Sequence, residues 1–304
     1  MSHKRASTHV ERCLLTLALC MLLRWSALLL LLHAAACSER TLHVVTVVTD
    51  PSHPNLLRSV AFAARRGVAL RVLVEPRVFG HGVGFTAKLT RVAALLQTLP
   101  PDDVLLFTDG YDSLVAAPPA QLLRSYDGAL EAYGAAPGTP LFSAERTCWP
   151  DAHLSASYPP HATHPDSPYR HLNSGGYMGR VRSLWELFNR AEVQQLPPSA
   201  DDQRVLTQLY LQHSVDAPLV LDAGNLVFNA MALAEHDVER TPDGLWRNSV
   251  THTQPLVLHG NGPAVFFLFG QLFAREMQEI DGELQALRAA QEERVTEAED
   301  RHAL

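Results

Sequence analysis

Cysteine is scarce: the 304-residue chain has four, and Cys13 and Cys20 fall inside an apolar N-terminal tract. That leaves Cys37 and Cys148, with a bridge between them open. Two cysteines do not make a disulfide framework, so the core must be held by packing. Long Lys/Arg runs are also missing and the formal net charge is −7, which argues against a nucleic-acid-binding surface. Fifteen histidines are present, yet His161, His164 and His171 match no zinc-ligand spacing and read as loop residues. No internal repeat is visible. Apolar residues, in contrast, make up 47% of the chain. That suffices for a sizeable core in one large or two ordinary domains, with no sign of wholesale disorder.

Lys4, Arg5 and Arg12 precede an apolar tract from Cys13 to Ala36, which ends in Ala34-Ala35-Ala36. A basic flank, an apolar centre and small residues before Cys37 fit a secretory signal peptide over residues 1–37. The tract is also long enough for a type II signal anchor, although Arg24 inside it costs roughly 2.5–3.5 kcal/mol of insertion energy. Both readings direct the chain into the secretory pathway, to the lumen of the endoplasmic reticulum or Golgi. A membrane is a partner only if the segment stays uncleaved.

The stretch around which the rest is organised is Val104-Leu105-Leu106-Phe107-Thr108-Asp109-Gly110-Tyr111-Asp112. An uninterrupted apolar run reads as a strand buried on both faces. It stops at a carboxylate, and a second follows three residues later, at the rim where open α/β sheets place ligands. Gly110, without a Cβ, lets the backbone turn and aim both acids at one point. Two such oxygens suit a hard divalent cation; the plainer reading is an acidic turn.

The surrounding pattern is α/β. Thr41–Val48 and Val68–Val74 read as strands joined by a helix around Leu56, Leu57, Val60 and Ala64, which implies a right-handed crossover and a parallel pair. A glycine-rich loop, Phe79–Phe85, runs into a helix carrying Lys88, although it matches neither standard phosphate-loop pattern. A lysine in a first helical turn opposes the helix dipole, which points to an anionic ligand or to an ordinary surface lysine. Leu141–Glu145 reads as a short strand, and residues 151–171 as a long surface loop. Asn173-Ser174-Gly175-Gly176 offers neutral hydrogen bonds and close backbone approach to a ligand, or else a tight turn into a strand. Asp201-Asp202-Gln203 opens a helix, where acids are favoured by the dipole whatever else they do. Pro255–Leu258 reads as the last core strand, with His259 before Gly260-Asn261-Gly262 aimed into a cleft or satisfied in the core. Residues 40–265 thus form one domain, and 266–304 an acidic helical tail. Met277, Ile280, Leu284 and Leu287 in that tail make a short heptad stripe that packs on the domain or on a second copy.

Phe107–Asp112, Phe142-Ser143-Ala144-Glu145 with Cys148-Trp149-Pro150, Leu172–Gly176, Asp201-Asp202-Gln203 and His259–Gly262 stand in one order. In that order and spacing the chain resembles the N-terminal glycosyltransferase domain of the multifunctional procollagen lysyl hydroxylases, and more loosely the collagen galactosyltransferases. The resemblance spans Leu42 to Pro263. It implies a GT-A, Rossmann-like fold with a mixed, mostly parallel sheet flanked by helices. It also implies a Mn²⁺ cofactor, a donor that is UDP-galactose or UDP-glucose, and as acceptor a hydroxylysine, or hydroxylysine-linked sugar, of a collagen-like protein. Carried onto this chain, Asp109, Asp112 and His259 resemble the metal ligands. Tyr111 resembles the ring that stacks on uracil, Thr46 a nucleoside contact, and Lys88 a lysine near the diphosphate. Trp149, Asn173, Asp201, Asp202, Asn261 and Gly262 match positions around the donor and acceptor.

Two departures matter. The Asp201-Asp202 run is shorter than the family's poly-Asp stretch, which leaves the acceptor open. The chain also ends soon after the transferase region, so no lysyl hydroxylase activity is expected. Two other functions stay open: the same donor site serving a different protein or glycan acceptor, and an inactive sugar-nucleotide-binding scaffold assembled through the Met277–Leu287 stripe.

Overall fold

A computed structural model of the chain describes residues 40–75, 85–190, 193, 195, 200–212, 219–242 and 245–302. The N-terminal tract 1–37 and the glycine-rich loop 79–84 lie outside these residues. Among the described residues no helix is long and apolar enough to cross a membrane.

In chain order the elements are β1 (Leu42–Val48), α1 (Pro54–Ala64), β2 (Leu70–Val74), α2 (Phe85–Leu96), β3 (Val104–Thr108), β4 (Ser113–Val115) and α3 (Pro119–Ala132). There follow β5 (Leu141–Glu145), β6 (His171–Arg180), α4 (Val181–Phe188), α5 (Asp202–Gln212), β7 (Val220–Asp222), β8 (Phe228–Ala230), β9 (Val238–Arg240), β10 (Trp246–Asn248) and β11 (Val257–His259). A helical turn, α6 (Ala264–Phe267), and the long α7 (Ala274–His302) close the chain. The main sheet runs β2-β1-β3-β6-β5-β7. β1 is parallel to β2 and β3, β5 is parallel to β7, and β6 alone runs against its neighbours. The sheet is therefore mixed and mostly parallel, as the sequence leads one to expect.

Strand periodicity distributes the core. Val45, Val47, Leu105 and Phe107 pack with Leu89, Val92 and Leu96 of α2 and Leu206 and Leu209 of α5 on one face. Val44, Val104 and Leu106 alternate to the other, against Leu122, Tyr126 and Leu130 of α3. Both faces of β1 and β3 are thus covered by helices, which is why these strands read as continuous apolar runs.

β6 departs from expectation. Gly175 and Gly176 are not a turn before a strand but lie inside a ten-residue strand. Its register against β5 jumps there: Phe142 pairs with Tyr177, and the next residue, Ser143, with Asn173. Ser174, Gly175 and Gly176 bulge out of the β5 ladder, and a bulge re-aims the residues beside it.

A second sheet, β4-β11-β8, sits beside the first. β11 is antiparallel to β4, with His259 opposite Ser113, and Gly260 N–H donates to the Asp112 carbonyl at 2.7 Å. This pairing carries His259 to the end of β3 from far along the chain.

The segment beyond residue 265 supplies core. Leu268, Phe269, Leu272, Phe273, Met277 and Ile280 cluster with Phe62, Leu114, Met231 and Leu258, and Arg58 of α1 and Arg65 at its C-cap pair with Asp281 and Glu283 of α7. Farther along α7, Leu287 is 67% exposed. Ile280→Ala is expected to lower unfolding stability by about 2–5 kcal/mol, whereas Leu287→Ala stays within about 0.5 kcal/mol. Urea denaturation of the two variants reads the difference.

Candidate active site

Beyond the carboxyl ends of β3 and β5 lies a cleft of about 540 Å³, a volume suited to a small-molecule ligand. Asp109 follows β3 directly and its N–H is anchored on the Gly175 carbonyl at 2.9 Å. Asp112 stands immediately before β4, and His259 ends β11. One ligand atom from each of Asp109, Asp112 and His259 can be chosen so that all three lie within 4.8 Å of one another. His259 Nε2 is 3.3 Å from Asp112 Oδ1 and 3.8 Å from Asp109 Oδ2, yet it is buried without a hydrogen-bond partner. Burial pushes this imidazole down, but the carboxylates, Asp112 foremost, outweigh burial and raise it.

The other side of the ring explains its direction. Asn173 Nδ2 donates to Glu145, and Asn173 Oδ1 accepts the Gly175 N–H at 3.1 Å. That oxygen also meets His259 Nδ1 at 3.0 Å, so Nδ1 must carry the proton. In the neutral ring the lone pair then belongs to Nε2 and faces the position between the two carboxylates, the arrangement in which a histidine ligates a metal. Gly175 makes the approach possible: a Cβ there would run into His259 Cε1 and lie 2.8 Å from Asp109 Oδ2.

Gly110 serves a different purpose from the one its sequence suggests. Its φ is not positive; what the site requires is space, because a Cβ would lie 2.6 Å from Thr46 Oγ1 and 2.7 Å from Val48 Cγ1. Thr46 is fully buried beneath this glycine, so its hydroxyl is not presented to the cleft. Tyr111 also lies outside the cleft lining. Its hydroxyl accepts the N–H groups of Thr49 and Asp50 at 2.9 and 2.7 Å, and its ring rests 4.5 Å from that of His53.

Lys88, in the first turn of α2, is buried and bridges Asp109 at 3.0 Å and Asp202 at 3.2 Å. Burial opposes its charge, but the two carboxylates win and raise its pKa. The anionic partners that its helix position calls for are thus in part the protein's own. Burial would likewise raise Asp109, but Lys88 and His259 hold it below the usual carboxylate range. For Asp202, burial prevails over Lys88 and the pKa is raised. Asp201 caps α5 by accepting the Arg204 N–H at 2.9 Å. The cap and the cleft wall are therefore the same residue, since Asp201 and Asp202 both line the cleft.

Trp149 stands 65% exposed on the rim, and Cys148 beside it is a free thiol donating to the Asp151 carbonyl. Asn261 lines the cleft, but its Oδ1 accepts the N–H of Met231 and Ala232 and its Nδ2 donates to Glu145. Gly262 turns the rim with φ of 64°. Two residues not singled out from sequence belong here. Glu145 and Gln203 form the floor, joined at 2.7 Å; the sequence shows them only as members of two motifs, at a strand end and in a first helical turn, with no role attached.

The family model described as the PLOD GT domain matches residues 38–273. The procollagen-lysine,2-oxoglutarate 5-dioxygenase of Drosophila melanogaster is 31% identical over 188 residues, which are 60% of this chain and 24% of that protein. The multifunctional procollagen lysine hydroxylase and glycosyltransferase LH3 of Homo sapiens is 31% identical over 167 residues, 53% of this chain and 21% of that protein. A crystal structure of a glycosyltransferase involved in the glycosylation of the major capsid of PBCV-1 covers 79% of this chain and 98% of its own, with a TM-score of 0.44 and 10% identity. The chain spans about a quarter of the length of these curated relatives.

Proposed function

This chain belongs to the PLOD GT-domain family, and on that premise we propose that it is a Mn²⁺-dependent GT-A glycosyltransferase. It moves galactose or glucose from a UDP-sugar to a hydroxyl of a collagen-like protein, on hydroxylysine or on a sugar already linked to it. The observation that carries this reading is the convergence of Asp109, Asp112 and an unpartnered His259 Nε2 on one point.

The charge of the cleft supports it. Among the described residues that line it, Asp109, Asp112, Glu145, Asp201 and Asp202 face one ammonium, Lys88, and one imidazole. A diphosphate entering so acidic a cleft is repelled unless a divalent cation lies between. Two carboxylates and an imidazole suit Mn²⁺, which accepts mixed oxygen and nitrogen donors. Bound there, the ion would supply Lewis-acid stabilisation of the negative charge that grows on the departing nucleotide.

The chain's own residues do the rest. Lys88 adds positive charge beside the same point. Tyr111, outside the cleft lining and pinned through its hydroxyl, offers a fixed ring to a base that extends past the cleft, and Trp149 a rim surface to the sugars. Asp201, which lines the cleft, takes the proton of the incoming hydroxyl in this reading. Asp202, buried against Lys88, faces positive charge developing on the sugar carbon.

The test is UDP release from UDP-galactose and UDP-glucose, with and without Mn²⁺, in the presence of collagen-like peptides containing hydroxylysine. Wild type is expected to turn over only with the metal, and Asp112→Ala to fall to the metal-free level. Equal rates for the two proteins would overturn the enzyme reading.

A further inference from the structure

Glu145 ends β5 and is 1% exposed. Its Oε1 accepts from Asn173 Nδ2 at 3.2 Å and Gln203 Nε2 at 2.7 Å, and its Oε2 from Thr147 Oγ1 and Asn261 Nδ2, both at 2.9 Å. Three of these donors are side-chain amides, which ordinarily turn over to exchange donor for acceptor. Here none can. Asn173 Oδ1 accepts from Gly175 N–H, Gln203 Oε1 from Ser174 N–H, and Asn261 Oδ1 from the N–H of Met231 and Ala232. A backbone N–H only donates, so each amide must turn its NH₂ toward Glu145. Fixed donors meeting at one buried point require a group that only accepts, and an ionised carboxylate is that group.

The consequence reaches the metal ligands. With its NH₂ held by Glu145, Asn173 presents an oxygen to His259 Nδ1, which fixes the tautomer and aims Nε2 at Asp109 and Asp112. Through Gln203 the same carboxylate holds the Trp149 carbonyl, which accepts from Gln203 Nε2 at 2.9 Å, and through Asn261 it holds the β11 rim. We infer that Glu145 is a positioning residue that sets the direction of His259 through Asn173 and ties α5 and the rim to the same point. It acts outside the trio of candidate ligands. The inference rests on the glycosyltransferase reading for its purpose, but its test needs no sugar.

Glu145→Gln sets an NH₂ against donors that cannot turn away. In the full chain, Mn²⁺ affinity, read by electron paramagnetic resonance of the free ion without nucleotide, is expected to fall about 10- to 100-fold, the cost of losing a partner behind a metal ligand. Long-range ¹H–¹⁵N spectra of the metal-free protein, recorded at a pH where the imidazole is neutral, should show His259 as the Nδ1–H form in wild type and as a mixture of tautomers in the variant. Combining Glu145→Gln with Asn173→Asp returns an acceptor to His259 Nδ1 and lets the new amide donate toward it, so about tenfold of the lost affinity is expected back. Unchanged Mn²⁺ affinity and an unchanged His259 tautomer in folded Glu145→Gln protein would overturn the inference. Should that variant not fold, Asn173→Ala cuts the same link one bond further along and is read the same way. If wild type binds no Mn²⁺, the transferase reading fails, and the tautomer measurement alone decides the role of Glu145.

Discussion

Gly175→Ala is expected to lower Mn²⁺ affinity by more than about a hundredfold and to abolish metal-dependent UDP release, while the chain still folds. The strand position tolerates alanine in its backbone, since the φ of Gly175 is not positive. What it does not tolerate is volume. The added methyl would run into His259 Cε1 and lie 2.7 Å from His259 Nδ1 and 2.8 Å from Asp109 Oδ2. These are two of the three candidate ligands, so one substitution displaces both. Neither ligand can yield cheaply. The imidazole is held from behind by Asn173, and the Asp109 backbone is tied to the Gly175 carbonyl. Losing one partner behind a ligand costs 10- to 100-fold in metal affinity, and moving two ligands costs more. Manganese titration and circular dichroism on the same sample separate loss of the site from loss of the fold. A variant that is folded and binds Mn²⁺ like wild type would show that these residues do not share a ligand sphere.

Three acids at strand ends show how far the sequence can be read. Asp109 follows β3, Glu145 ends β5 and Asp222 ends β7, so each stands where a strand could deliver a carboxylate to the rim of the sheet. Asp109 does reach the cleft. Glu145 is consumed by fixed donors. Asp222 is fully buried, accepting the Tyr133 hydroxyl and the N–H groups of Leu226, Val227 and Phe228, so it shapes the β7–β8 connection rather than a ligand site. Periodicity reports the strand and its end, because those follow from local burial, but an acid's partners come from distant segments that periodicity does not carry. The same limit explains the glycines. Gly-Gly at 175–176 reads locally as a turn, yet in β6 its use is to leave room for a histidine supplied by β11. At Gly110 the sequence suggests a freely turning backbone, and the structure requires only the absence of a side chain above Thr46. The five-motif resemblance reached His259 where local pattern could not, because order along the whole chain encodes contacts that no single window contains.

Lys88→Met is expected to move stability and metal affinity in opposite directions. The ammonium is buried between Asp109 and Asp202, and removing one partner of such a pair leaves unpaired charge, which costs about 3–5 kcal/mol. Metal-free protein should therefore unfold at markedly lower urea concentration. Cation binding follows the other sign. Lys88 repels a divalent ion and occupies Asp109 Oδ1 at 3.0 Å, so without it Asp109 carries its full charge toward Mn²⁺. Mn²⁺ is expected to bind more tightly to the variant than to wild type and, by binding the folded state alone, to restore part of the lost stability. Metal-dependent UDP release should nevertheless fall, because the positive charge beside the departing diphosphate is gone. Lys88→Arg does not substitute, since a planar fork cannot occupy the space of a compact ammonium held by two carboxylates. Urea unfolding with and without Mn²⁺, set beside a metal titration, reads both signs. If stability and affinity fall together, Lys88 supports the ligand geometry rather than competing for it, and its bridge to Asp202 becomes part of the metal site's frame.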